Sequence, residues 1–384
     1  MNGLDLVIVI GALAAVIGGW SLGFIRRIGG WLGVACGLAV ALMTLPTLVE
    51  SLGMSNDRYI FILGGSYLIL MATAGQGLGE AIGSRVRSTV DTSGGRYADS
   101  FGGSALGLVG VVVVVWLLFP VMAGAQGWPA KVARSSNLAR SISQALPDPP
   151  PQITTLERQL AGGGFPRLFD RIRPAPDLEP PPQVELPDEL YSEAVDSIVR
   201  VEAPACNKIQ SGSGFYVAPN MVMTNAHVVA GSTDTVVQDV NGDELPATVI
   251  HFDPNVDLAV LVVNSDRPPL PVADPTEGNQ GLVMGFPGGG PFDPSPFQVA
   301  QRVRATGYDI YDSQRVERDL LILSSDLQPG DSGSAVLRSD GAVVGVAVAI
   351  APDRPSVAYA LDATEIRNIM RATDPSTADT GPCR

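Results

Sequence analysis

Ser332 stands in Q-P-G-D-S-G-S-A, from Gln328 to Ala335, a hydroxyl set among glycines on a tight turn. Acyl transfer needs that arrangement. Gly330 can take backbone angles closed to other residues, so its N–H and that of Ser332 can point at one spot. An oxyanion forms at such a spot when a hydroxyl attacks a carbonyl. The same residue types also make plain turns between strands, so the chemistry needs a base and an orienting acid from elsewhere. The chain has two histidines: His227 in T-N-A-H-V-V, and His251 beside Phe252 in a strand-like run that suits a structural role. Asp257 is the last polar residue before the apolar run L-A-V-L-V-V. A carboxylate there can be desolvated and bonded to an imidazole, fixing its tautomer. It can also serve as a turn cap after Pro254 and Asn255.

The elements that must hold these residues are short and β-rich. From Tyr191 onward the pattern predicts strands at Ile198–Glu202, Gly212–Val217, Met221–Thr224, Thr235–Val240, Ala247–Phe252 and Leu258–Val263. A second set follows at Gly281–Gly285, Gln298–Thr306, Leu320–Leu323, Ala335–Leu337, Val343–Ile350 and Ser356–Leu361. With Pro268 to Pro271 between them, the two sets predict two small β-barrels, closed by a helix over Thr364–Ala372.

The whole chain has 384 residues and a net charge of −14, a length that suggests two or three domains. An acidic balance argues against a nucleic-acid partner, because phosphate binding needs a basic face. Neither a metal nor a cofactor is expected. The first third carries four apolar stretches, Leu6–Ile25, Trp31–Val49, Tyr59–Gly75 and Ala105–Met122. Each is near the roughly 20 residues that cross a bilayer core. Gly29, Gly33 and Gly37, and again Gly103 and Gly107, recur at four-residue spacing, which lets helices approach closely in lipid. Arg26 and Arg27 follow the first stretch, and Arg85, Arg87 and Arg96 precede the fourth, so those loops are expected in the cytoplasm. Both ends of the chain then lie outside, in a multi-pass protein of the cytoplasmic membrane. A Pro-rich, acidic region precedes the barrels and reads either as an extended spacer or as a loop packed on them. The expected organisation is a four-helix transmembrane domain over 1–128, a linker over 129–190 and an all-β two-barrel domain over 191–384. Of three cysteines, Cys206 and Cys383 bracket the last domain, as two free thiols or one disulfide.

The order His227, Asp257, Ser332, in T-N-A-H-V-V, N-V-D-L-A-V-L and G-D-S-G, resembles the chymotrypsin-like serine proteases. The segment S-G-S-G-F-Y-V, Ser211 to Val217, is similar to their bacterial HtrA-type branch. Four spans ahead of such a domain resemble the colicin-V-production-type membrane module. Together with the cysteine pair, the chain looks like the MarP-type acid-resistance periplasmic proteases of mycobacteria and relatives. The resemblance implies Ser332 as nucleophile, His227 as general base, Asp257 as its orienting acid, and the amides of Gly330 and Ser332 as the oxyanion hole. It implies protein or peptide substrates in the cell envelope and a role in acid or oxidative stress. Asp326, six residues before Ser332, stands where trypsin-like enzymes place a carboxylate that selects Arg or Lys. Ser334 departs from the second glycine of many relatives. A different reading makes the chain a membrane scaffold or transport-associated protein whose protease-like domain only binds peptides. The complete set of three residues favours the enzyme.

Overall fold

The computed structural model describes residues 2–51, 57–89, 92–125, 127–147, 168–169, 174–205, 208–374 and 376–383. Cys206 lies outside these residues. The chain divides into two compact units, one of residues 1–119 with 136–149, the other of 120–135 with 150–384.

The first unit is helical. It contains α1 (Gly3–Leu22), α2 (Phe24–Ser51), α3 (Asp57–Arg87) and most of α4 (Ser93–Gly124), with the short amphipathic α6 (Asn137–Ala145) after α5 (Trp128–Arg134) of the other unit. Gly23, at φ 77°, ends α1 three residues earlier than the expected Ile25. The stretches expected to span a membrane all fall on long helices. Among the described residues three segments are long and apolar enough to cross one: Gly3–Leu22, Phe24–Ala41 and Ser93–Gly124. The glycine spacing acts as expected. A Cβ on Gly33 would sit 2.0 Å from the Gly75 carbonyl oxygen, and one on Gly75 would sit 2.1 Å from that of Gly33. Gly29 meets Gly79 in the same way, and Gly103 of α4 meets the Gly19 carbonyl of α1 at 2.2 Å. Backbones this close exclude any side chain, and the gain is dispersion along the whole contact.

The second unit contains two closed antiparallel barrels. The first orders its strands β1-β2-β3-β6-β5-β4: β1 (Ile198–Ala205), β2 (Lys208–Ala218), β3 (Met221–Thr224), β4 (Thr235–Gln238), β5 (Glu244–Asp253) and β6 (Leu258–Val263). The second orders them β10-β11-β12-β9-β8-β7: β7 (Gln280–Met284), β8 (Ser295–Tyr308), β9 (Arg315–Ser324), β10 (Ala335–Arg338), β11 (Val343–Ala351) and β12 (Arg354–Asp362). Period-2 alternation builds the cores. In β6, Ala259 and Leu261 fill the first barrel, while Leu258 and Val260 face a larger cluster shared by both barrels. In β9, Leu321 and Leu323 fill the second barrel, and Leu320 and Ile322 face that shared cluster. Leu258–Val263 and Leu320–Leu323 are therefore apolar on both faces, which is why these two runs are continuous rather than alternating.

Two segments strap the barrels. Residues 174–187 are extended, but Ala175 and Leu186 are buried in the shared core, Ser324 Oγ donates to the Glu179 carbonyl, and Arg354 pairs with Asp177. This stretch is thus a packed loop rather than a free spacer, and it leads into a helix at Asp188–Asp196 that crosses the expected domain boundary at 190/191. After the closing helix Ala363–Ala372, the tail returns to the first barrel. There Ala378 N donates to Val249 O, Gly231 N donates to Thr380 O, and Thr380 Oγ1 donates to Ser232 O.

Candidate active site

Strand β3 ends at the buried Thr224 and delivers the chain into a single helical turn, Ala226–Val229, that carries His227. The adjacent β5–β6 turn carries Asp257. Asp253 Oδ1 accepts the amides of Asn255 (2.8 Å) and Val256 (3.1 Å), and Asp253 O accepts that of Asp257 (2.9 Å). This tight turn leaves Asp257 at φ 72°, a left-handed conformation that a non-glycine residue keeps only when its surroundings hold it. The hold is visible. Asn225 Nδ2 donates to the Asp257 carbonyl at 2.8 Å, and His227 N donates to Asp257 Oδ1 at 2.9 Å. His227 Nδ1 lies 2.7 Å from Asp257 Oδ2. Asp257 is fully buried and acceptor-only when ionised, so the Nδ1 proton belongs on the ring and Nε2 is left with its lone pair.

The Ser332 turn belongs to the second barrel and is clamped by the first. Ser213 N donates to Ser332 O at 2.7 Å, Ser213 Oγ donates to Gly330 O at 2.8 Å, and Phe286 N donates to Ser213 Oγ at 2.9 Å. Gly212 marks where the pieces meet: a Cβ there would lie 2.6 Å from Val228 Cγ2 and 2.9 Å from Ser332 O. The His227 turn and the Ser332 turn therefore converge on one residue of β2. Gly330 has φ 103°, and a Cβ on it would strike Phe286 O at 2.6 Å and the Gly288 and Gly289 amides at 2.7 Å. Only glycine fits. Among the described residues no acceptor takes the Gly330 or the Ser332 amide, so both donors are open to a ligand.

The acid inside the motif behaves differently from Asp257. Asp331 is 3% exposed and, among the described residues, accepts only the Gln328 amide, at 2.8 Å. Burial pushes its carboxyl up to about 6; the Gln328 hydrogen bond opposes the shift and the Asp293 charge adds to it. Ser334, the departure noted in the sequence, is fully buried with its Oγ unpartnered among the described residues. It lies beside Gly285, where a Cβ would meet Ser334 Oγ at 1.9 Å and Asp331 Oδ1 at 2.9 Å. The extra hydroxyl is accommodated because position 285 has no side chain. Asp326 is exposed, and its side chain makes no hydrogen bond or ion pair among the described residues. His251 is a half-buried strand residue opposite Val260, as expected of a structural histidine.

Sequence reasoning missed Ser213, Asn225 and Gly285 as supports of the site. Ser213 and Asn225 sit inside the quoted motifs, but a hydroxyl or an amide in a motif does not reveal which distant carbonyl it will reach.

The family model for a trypsin-like peptidase domain matches residues 212–346, and that for colicin V production protein matches residues 4–147. The serine protease Rv3671c of Mycobacterium tuberculosis is 31% identical over 99% of this chain and 98% of its own. A DegP-like probable periplasmic serine endoprotease of Chlamydia pneumoniae is 28% identical over 48% of this chain and 39% of its own. The crystal structure of the active Rv3671c protease is similar at 32% identity, covering 55% of this chain and 98% of that one with a TM-score of 0.49. With an Rv3671c-like identity carried along nearly its whole length, the chain belongs to the family of that serine protease, and it is a serine endopeptidase with a colicin-V-production-like helical module ahead of its trypsin-like domain.

Proposed function

We propose that Ser332, His227 and Asp257 are the catalytic triad with which this protein cleaves proteins of the cell envelope, outside the cytoplasmic membrane. The observation that carries the assignment is the doubly bonded His227–Asp257 pair set beside a serine turn whose two amides are open. His227 Nε2 takes the proton of Ser332 Oγ as the oxygen attacks the substrate carbonyl, and Asp257 stabilises the imidazolium that forms. The Gly330 and Ser332 amides hold the oxyanion, at low reorganisation cost because Gly330 is fixed by its neighbours. His227 then protonates the leaving amine, and water attacks the acyl-enzyme with the same base. Asp326 takes no part in these bond-making steps; its exposed carboxylate bears only on which side chain precedes the cleaved bond.

The arginines after α1 and before α4 support a cytoplasmic placement for those ends and an outside placement for the barrels. The cysteines support the same compartment. Cys383 is disulfide-bonded, which fits the Cys206–Cys383 pairing expected from the sequence, and disulfides persist in oxidising surroundings. A role in acid or oxidative stress completes the proposal, on resemblance. The test is an N-terminal proteomic comparison of envelope fractions from cells carrying wild type or Ser332→Ala. New protein N-termini that require Ser332 and map to envelope proteins are expected. Serine-dependent termini confined to cytoplasmic proteins would overturn the location, and none at all would overturn the substrate class.

A further inference from the structure

The largest side chain buried in the second unit belongs to no core. Arg318, on β9 of the second barrel, is 2% exposed. Its Nε donates to the Asn255 carbonyl at 2.6 Å and its Nη2 to the Tyr308 carbonyl at 2.7 Å, while Nη1 has no hydrogen-bond partner among the described residues. Asn255 lies in the turn that presents Asp257. The guanidinium thus ties the acid's turn, on the first barrel, to the β8–β9 end of the second.

A buried cation without a contact ion pair is expensive. A chain that needed only a bulky spacer here would do better with methionine. Burial pushes the guanidinium's proton affinity down, and four carboxylates push it back: Asp257 first, then Asp309 of the β8–β9 turn, Asp253 of β5 and Glu365 of the closing helix. The largest electrostatic partner of Arg318 is therefore Asp257. Arg318 therefore sets a buried positive charge within electrostatic reach of the carboxylate that bonds His227.

We propose that Arg318 is a positioning residue of the active site, holding the Asp257 turn by the Asn255 carbonyl and setting its positive charge near the Asp257–His227 pair from across the barrel interface. It touches no reacting atom and acts through Asp257. The inference rests on the triad reading above.

The test is the second-order rate of fluorophosphonate labelling of Ser332 against pH, on the full chain in detergent, for wild type, Arg318→Gln and Arg318→Lys. In Arg318→Gln the acid limb should move to higher pH by on the order of half a unit, because the imidazolium is no longer opposed. The plateau should fall roughly tenfold, because the turn loosens. Arg318→Lys restores the charge but not the fork, so its limb should return to the wild-type position while its plateau stays low. A folded Arg318→Gln with an unmoved limb would make Arg318 a structural staple and end the proposal. So would a folded Arg318→Lys whose limb stays with that of Arg318→Gln, since charge would then be irrelevant. If wild type itself is not labelled, the triad reading fails instead, which is a separate outcome.

Discussion

Asp257 and Asp331 are both buried carboxylates of one site, yet only Asp257 is given the donors that a buried charge needs. It accepts the amide and the ring N–H of His227, whereas Asp331 accepts one amide and faces the like charge of Asp293. Removing the Asp257 charge while keeping its shape, Asp257→Asn, should lower kcat/KM by about 10⁴, because the wrong imidazole tautomer is then favoured. For Asp331 the folded carboxyl titrates at about 6, above its usual value. A raised carboxyl stabilises the fold fully below about pH 4, and that contribution is lost as pH rises through about 6. The difference is on the order of 3 kcal/mol. Relative to Asp331→Asn, wild type should gain urea resistance as pH falls from about 7.5 to about 4.5. Parallel pH dependence in the two proteins would refute the account of Asp331. Ser213→Ala removes the clamp on Gly330 O and orphans the Phe286 amide, so it should cost about 1–3 kcal/mol and slow Ser332 labelling. Unchanged stability and labelling rate would show that the clamp is dispensable.

At the scale of elements, the strands were legible because their periodicity and bounding turns are local properties. Met221–Thr224 and Leu258–Val263 run over the expected residues, most of the other strands extend at their ends, β4 stops short of the expected Val240, and β7 is shifted back by a residue, since cross-strand partners rather than propensity decide where pairing ends. The order of catalytic residues was legible as well, since each motif is short. What could not be read locally was long-range: β2 reaching over to hold Ser332, residues 174–187 binding to the second barrel, and a buried arginine on β9 reaching the Asp257 turn. The helix contacts show how a local pattern can still encode tertiary packing. Gly33 lies against the Gly75 backbone, whereas Gly77 of α3 has open space within 4 Å. Gly33→Ala should therefore lower the melting temperature of the full chain in detergent. Gly77→Ala should leave it unchanged or raise it, by about 1 kcal/mol of helix propensity. Equal effects would mean that the α2–α3 backbone contact does not contribute.

Over the whole molecule, a helical module and a two-barrel protease share one chain, and the tail that ends it lies against the turn that carries the base. The Cys383 backbone is 3.2 Å from where a Cβ on Gly231 would be, just beyond the His227 helix. A disulfide to Cys206 would tie both ends of the barrel domain, contributing on the order of 4–5 kcal/mol in the chain-entropy model. Cys383→Ser should lower stability accordingly, and free Cys206 and Cys383 in protein isolated from the envelope would remove the disulfide. The central claim is that one serine, activated by one histidine, performs the chemistry. Fluorophosphonate labelling of the full chain, with the modified peptide identified by mass spectrometry, tests it most directly. Stoichiometric labelling at Ser332, absent in Ser332→Ala and strongly slowed in His227→Ala, is the expected result. Folded wild type that stays unlabelled, or labelling that persists in Ser332→Ala, would contradict it.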